Sequence, residues 1–273
     1  MERYAFDSNA ALSELIGWLR AEGKRANFNK VVIGISGGKD STIAAALCCR
    51  AFGAENVHGL LMPNGIQKDI NDSIRVCEAL GIKYTTINIK PMYDSFVMQY
   101  NMCCSDTSDD VEDARDNKLT NDALINLAPR VRMVTLRLWA QTNHHRVCGT
   151  SNFSEITVGY CTKDGDTCAD FNPLGKLTSV EVVEIGELLT EIPKDLVLKT
   201  PEDGLSGMSD EKKLGVTYDE IHKYARSLPG LSREVWDKIH ALAVAGLHKR
   251  TSVPTWIPPE SIMAKASNQQ ISI

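Results

Sequence analysis

Apolar positions along this chain recur with two periods, and the two alternate. In residues 8–24, Leu12, Leu15, Ile16 and Leu19 fall at the spacing of a helix with one buried stripe, and Ser8 stands where a cap belongs. Residues 31–35 form a short apolar run rich in valine and isoleucine, which reads as a buried strand. An alanine-rich helix is predicted over 42–52, a second strand over 57–62, a helix over 69–80 closed by Gly81, and a third strand over 84–89. Strands alternating with helices predict an α/β fold, a doubly wound and mostly parallel sheet with helices on both faces.

The second half continues the pattern after an interruption. Residues 101–118 hold six acids (Asp106, Asp109, Asp110, Glu112, Asp113 and Asp116) and read as a solvated loop. A long helix is predicted over 119–143, kinked or split at Pro129, with more apolar residues than one buried stripe needs. Arg130, Arg132 and Arg137 lie along its second part, either as a solvated basic face or as clamps for carboxylate or phosphate. A fourth strand over 146–149 leads into a helix from about Phe153, with Asn152 and Glu155 spaced as a capping box. The same spacing recurs at Thr178 with Glu181 and at Thr217 with Glu220, which open helices over 178–189 and 218–226. Residues 159–170 and 199–213 read as loops. A helix over 234–247 ends in His248-Lys249-Arg250, and Pro254, Pro258 and Pro259 follow. One domain is expected over 1–259, with 260–273 a weakly ordered tail.

Candidate chemistry concentrates where the first strand ends. Ser36-Gly37-Gly38-Lys39-Asp40-Ser41 places two glycines at a strand-to-helix turn, where free amides and a positive dipole end make a phosphate cradle. Ser36 and Ser41 add hydroxyls, while Asp40 would repel a phosphate unless a divalent cation stands between them. A Walker A loop is excluded, because Ile33 and Asp40 stand where it needs glycine and a hydroxyl residue. The dinucleotide fingerprint fails on spacing.

Composition narrows the partners. The chain has 273 residues and a net charge of −5, so the basic footprint of a nucleic-acid binder is missing. No run of ~18 apolar residues offers a membrane span, and no signal peptide opens the sequence. The eight cysteines include no Cys-x-x-Cys pair, which fits thiols kept reduced in the cytoplasm.

The Ser-Gly-Gly-Lys-Asp-Ser stretch resembles the pyrophosphate loop of the N-type ATP pyrophosphatases. The second half resembles one branch of them, the ammonia-dependent NAD synthetases. Gly149-Thr150 with Glu155 matches that family's Gly-Thr-x-x-x-x-Glu. Residues 162–170 match its Thr-Lys-x-Gly-Asp-x-x-x-Asp. Asp210-Glu211 with Leu214-Gly215 and Tyr218-Asp219-x-Ile221 matches a third motif, and His248-Lys249-Arg250 a fourth. The resemblance covers roughly residues 10–255. It implies the adenine-nucleotide alpha-hydrolase-like fold and a homodimer.

The resemblance also implies roles. Gly34, Ile35, Ser36, Gly37, Gly38, Lys39, Asp40 and Ser41, with Thr150, would hold ATP. Asp40 and Glu155 would bind magnesium. Arg130, Lys163, Asp170, His248 and Lys249 would bind deamido-NAD, the last two from a mobile C-terminal segment. Two positions depart from the family: Ser179 replaces a usual lysine, with Lys176 nearby, and Glu202 follows Pro201 where Ser or Thr is usual.

The implied reaction is ligation. The carboxylate of deamido-NAD attacks the α-phosphate of ATP, pyrophosphate leaves, and ammonia displaces AMP to give the amide. Cations and aligned amides stabilise the charge that builds on phosphate oxygens. With about thirty residues ahead of the phosphate loop, free ammonia is the expected nitrogen donor. Two rivals stay open: another N-type ATP pyrophosphatase, such as a tRNA thiolation enzyme or another acid amidase, and a non-catalytic ATP-binding module.

Overall fold

Four short parallel strands carry every other element. The computed structural model describes residues 4–67, 69–105, 118–199 and 209–257. In chain order these are α1 (Ser8–Arg25), β1 (Val31–Gly34), α2 (Lys39–Phe52), β2 (Val57–Leu61), α3 (Ile70–Leu80), β3 (Lys83–Thr86), α4 (Lys90–Ser105), α5 (Asn121–Asn143), β4 (Arg146–Cys148), α6 (Phe153–Val158), α7 (Ser179–Glu187), α8 (Lys194–Val197), α9 (Asp210–Leu214), α10 (Tyr218–Ala225) and α11 (Arg233–Ala245). The sheet order is β3-β2-β1-β4 and all three pairings are parallel. This is the doubly wound arrangement that the alternation predicts.

Side chains alternate across the strands, and each face has its own core. Val31, Ile33, Val57 and Leu61 join α1, α2, α3 and α7 in one cluster. Val32, Leu60 and Val147 point the other way, to Ala128, Val131, Met133 and Leu136 of α5. A third cluster joins Val158 of α6 to Leu214, Tyr218, Ile221 and Ile239 of α9, α10 and α11. The central strand β1 is covered on both faces and reads as a continuous apolar run, whereas the edge strand β3 is polar and mostly exposed.

Several expectations are corrected. Asp7, not Ser8, caps α1: its carboxylate accepts the Ala10 N–H at 3.0 Å, and a negative charge suits that helix end better than a hydroxyl. Pro129 does not split α5, which runs unbroken for 23 residues. Thr120 caps it, and Ala128 and Val131, on either side of the proline, are anchored in the sheet-facing core. Helix α4 was not foreseen. It covers 90–105 and so enters the stretch read as loop, because Phe96, Met98 and Met102 face solvent and give no inward stripe. Asp210–Leu214 is likewise a short helix within the loop expected over 199–213. The acidic residues 106–116, the pair Pro201-Glu202 and the tail 260–273 lie outside the described residues.

Candidate active site

The turn after β1 is tighter than the sequence suggests. Helix α2 opens at Lys39, and its first ladder bond runs from Thr42 N–H to Gly38 C=O at 3.1 Å. The amides of Lys39, Asp40 and Ser41 therefore stand ahead of the ladder at the positive end of the helix. Ile35 still belongs to the sheet, donating its N–H to Leu60 C=O at 3.0 Å, whereas Ser36 is exposed. The two hydroxyls brace the loop: Gly38 N–H donates to Ser36 Oγ at 3.2 Å, and Ser41 Oγ accepts from Ser36 N–H at 3.3 Å. Gly37 has φ +81°, and a Cβ there would sit 2.8 Å from Asp72 Cβ and 2.9 Å from Ser73 N on α3. Only glycine fits.

The sheet reverses its winding between β1 and β4. From β1 the chain moves outward through β2 to β3, and β4 then returns to the other side of β1. A crevice opens at such a switch point, beyond the carboxyl ends of the strands. Asp40 comes to it from α2 and Glu155 from α6. Asn152 joins them. Its Oδ1 accepts Glu155 N–H at 3.1 Å, its own N–H donates to Glu155 Oε2 at 3.0 Å, and its Nδ2 donates to Asp40 Oδ1 at 3.1 Å. Glu155 thus completes the capping box read from the sequence and also faces Asp40. Burial first, and then the Asp40 charge, push its carboxyl well above the ordinary range, with Lys39 opposing.

A second layer lies behind these acids. Lys39 is buried, with Nζ 2.6 Å from Asp40 Oδ2 and 5.4 Å from the centre of the Tyr218 ring. The hydroxyls of Tyr160 and Tyr218 each donate to Asp210, both at 3.1 Å. Burial raises the Asp210 carboxyl despite those hydrogen bonds. Asp166, which accepts Thr162 N–H at 2.6 Å, is raised by burial as well. Sequence reasoning missed the roles of Asn152, Tyr160, Tyr218 and Asp210. The eight-residue spacing of Asp210 and Tyr218 was visible, but Tyr160 lies fifty residues away and carries no local signal.

The residues expected to bind deamido-NAD divide into three groups. Arg130 and Lys163 are neighbours, Arg130 Nε donating to Lys163 C=O at 3.2 Å near the surface. Asp170 pairs with Arg137 at 2.5 Å and accepts Val147 N–H at 2.7 Å, so it braces the edge of β4. Lys249 is half-buried, and its Nζ donates to Gly159 and Cys161 C=O, each at 2.8 Å. Arg250 donates to Ile156 and Thr157 C=O, so Lys249 and Arg250 together grip the carbonyl end of α6. His248 is exposed and bonded to Ala245 C=O. Gly159 and Gly246 make this docking possible, since a Cβ on either would lie 2.6 Å from the other's Cα. Thr150 is half-buried between β4 and α6. Ser179 is buried in the first turn of α7, where its N–H donates to Ser154 Oγ at 3.0 Å.

A hard divalent cation fits the donor chemistry of Asp40 and Glu155. Both offer carboxylate oxygens alone, and a cation relieves the repulsion that raises Glu155. Among the described residues, no group of three or more His, Cys, Asp or Glu gathers as a closed metal cage. The two acids would therefore leave coordination positions for phosphate and water. The described cysteines are free thiols, and no described helix is long and apolar enough to cross a membrane.

Comparison with known proteins bears directly on this geometry. Residues 11–252 match the family described as NAD synthase. The NH(3)-dependent NAD(+) synthetase of Thermococcus kodakarensis is 38% identical over 261 residues, covering 90% of this chain and 96% of that one. Among solved structures, the NMN synthetase from Francisella tularensis superposes with a TM-score of 0.80 at 31% identity, covering 92% of this chain and 99% of that one. The NH3-dependent NAD synthetase from Campylobacter jejuni superposes with a TM-score of 0.71 at 27% identity, covering 93% and 100%.

Proposed function

The chain belongs to the NAD synthase family, and from that premise we propose how its residues carry out the ligation. It is an ammonia-dependent NAD synthetase: ATP adenylates the carboxylate of deamido-NAD, and ammonia converts the adenylate to NAD with release of AMP. The observation that carries the site assignment is the bridge through Asn152, which brings Asp40 and Glu155 together beside the phosphate turn.

The residues divide the work. The turn at Gly37 and Gly38 and the leading amides of α2 receive the β- and γ-phosphates, where aligned N–H groups stabilise departing pyrophosphate. Asp40 and Glu155 would hold Mg2+, which would supply Lewis-acid stabilisation of phosphate charge. Asn152 fixes the angle between the two acids. Thr150 lies close enough in the chain to border the nucleotide. Arg130 and Lys163 form the positive side of the dinucleotide site, and Asp170 acts through Arg137 to hold its floor. Lys249 and Arg250 fasten the carbonyl end of α6, and Lys249 with His248 borders the dinucleotide. No enzyme nucleophile is needed, because substrate carboxylate and ammonia are the two nucleophiles.

A homodimer is the assembly we propose. Helix α5 exposes Val134 and Leu138, one turn apart and the latter 68% exposed, and helix α4 exposes Phe96, Met98 and Met102. Exposed apolar residues of this kind support an interface. Sedimentation is expected to show a dimer, and full activity as a monomer would refute this part.

The decisive assay combines ATP, Mg2+, ammonium and deamido-NAD, with NAD, AMP and pyrophosphate as products. Equal turnover with glutamine would refute ammonia dependence. A second reading is favoured by the likeness to the Francisella tularensis protein: the acid acceptor is nicotinate mononucleotide and the product NMN. Parallel assays with the two acids decide by the ratio of their kcat/KM values. Arg130→Ala is expected to weaken acid-substrate binding by ~1.5–3 kcal/mol, the scale of a charge-assisted hydrogen bond, and to leave ATP binding nearly unchanged.

A further inference from the structure

Lys39 is an unusual residue to find where it lies. It is the first residue of α2, so its ammonium begins at the positive end of a helix dipole, where a cation is disfavoured. It is only 4% exposed, and a buried ammonium persists only where opposite charge compensates it. The compensation is local. Asp40 Oδ2 lies 2.6 Å away, the Tyr218 ring faces the ammonium at 5.4 Å, and the charge of Lys39 also acts on the carboxyls of Glu155 and Asp210. One cation thus stands among three acids.

Its partner matters most. Asp40 Oδ1 accepts from Asn152 and Oδ2 is taken by Lys39, so both oxygens of this acid are engaged. A divalent cation arriving alone meets an ammonium already seated on the oxygen that it needs. Nucleotide changes the balance, because triphosphate adds enough negative charge to hold both cations, and the flexible lysine stem can turn its ammonium from Asp40 to a phosphate oxygen.

We propose that Lys39 is the resident counter-ion of the site: it occupies the divalent cation's place on Asp40 until nucleotide arrives, and so makes metal and nucleotide enter together. This rests on the reading of Asp40 as a metal ligand. It adds a reason why the free protein would not sequester metal, and it makes Lys39 a positioning residue for the metal rather than a simple phosphate contact.

The test reads Mn2+ binding to the full chain by electron paramagnetic resonance, with no turnover, in the absence and presence of a non-hydrolysable α,β-methylene ATP. Wild-type protein is expected to bind Mn2+ at least tenfold more weakly without the nucleotide. Lys39→Met is expected to bind Mn2+ alone at least tenfold more tightly than wild type and to lose most of the nucleotide dependence. Lys39→Arg, which keeps the charge, is expected to behave as wild type does. Wild-type protein that binds Mn2+ equally with and without nucleotide overturns the proposal, whatever the variants do. So does Lys39→Met with unchanged or weaker Mn2+ affinity, and Lys39→Gln repeats that arm if the methionine variant does not fold. Asp40→Asn separates the two levels. If it abolishes Mn2+ binding in the Lys39→Met background while Lys39→Met alone gains nothing, the counter-ion role fails and the metal site stands. If it leaves Mn2+ binding intact in every background, the metal-site reading falls and takes the counter-ion role with it.

Discussion

Helices α6 and α7 begin with the same four-residue device, and their glutamates end in opposite electrostatic states. In α6, Glu155 accepts the Asn152 N–H at 3.0 Å, and in α7, Glu181 accepts the Thr178 N–H at 2.7 Å. Glu181 is wholly buried, and burial works to raise its carboxyl. The Arg226 fork, at 2.7 and 2.6 Å, the Tyr4 hydroxyl and the Thr178 amide outweigh that burial and hold it below the ordinary range. Glu155 has no such fork. It faces Asp40 and is raised, with the shared Lys39 opposing only in part. The contrast teaches that a capping box fixes backbone geometry and leaves the carboxylate's second oxygen to be assigned by tertiary neighbours. In α7 the assignment is a structural ion pair, and in α6 it is a facing acid, Asp40, where the proposed cation would sit.

The largest expected effect is on turnover. Glu155→Ala should slow NAD formation by roughly a thousandfold, about 4 kcal/mol on the barrier, because it removes a ligand of the proposed metal site. Steady-state kinetics at saturating Mg2+ check this. A loss confined to the ~1 kcal/mol of a helix cap, with turnover kept, would make the two boxes equivalent.

Next comes Glu181→Gln. Removing the charge leaves Arg226 facing a neutral amide in a mostly buried place, and stability should fall by about 3 kcal/mol, the low end of the scale for breaking such a pair because Arg226 is partly exposed. Urea unfolding measures it, and the fraction that remains folded should turn over normally.

The two glutamates should also respond to pH with opposite sign in chelator-treated protein. Glu181 has a depressed folded pKa, so its contribution is full above the unfolded value of about 4.3 and is lost as pH falls through the folded value. Glu155 has a raised folded pKa, so its ionisation reduces stability as pH rises from about 4.3 through the folded value. Between pH 4 and 7, Glu155→Gln should therefore gain on wild type as pH rises, while the deficit of Glu181→Gln should stay constant above about pH 5 and shrink only as pH falls below about 4.3. Parallel trends in the two variants would dissolve the distinction.

The third box, Thr217 with Glu220, supplies the smallest effect and the baseline. Its glutamate accepts Thr217 N–H at 2.7 Å at the surface, with neither Arg fork nor facing acid. Glu220→Ala should cost about 1 kcal/mol in urea and nothing in turnover.

All three boxes were legible in the sequence, as were the four strands and the αL turn at Gly81, because each depends on residues within a few positions of one another. The phosphate turn was legible for the same reason. Helix α4 was not, since Phe96, Met98 and Met102 are exposed and leave Tyr93 to pack against the core without a clear inward stripe. The partners of Glu155 and Glu181 were not legible either. Arg226 and Tyr4 reach α7 from distant parts of the chain, and Asp40 reaches α6 across two adjacent strands. Lys249 likewise reaches the Gly159 and Cys161 carbonyls, 90 and 88 positions away.

The grip of Lys249 and Arg250 on the far end of α6 has a consequence for how the protein is made. The phosphate turn leaves the ribosome well before α6 and the residues that fasten it. The six-residue helix that carries Glu155 is too short to persist alone, and the residues that fasten it are synthesised almost a hundred positions later. A nascent chain halted before Gly246 would already present the glycine turn but would lack a settled second acid. The pairing of Asp40 with Glu155 is thus completed only after the residues that fasten α6 are made.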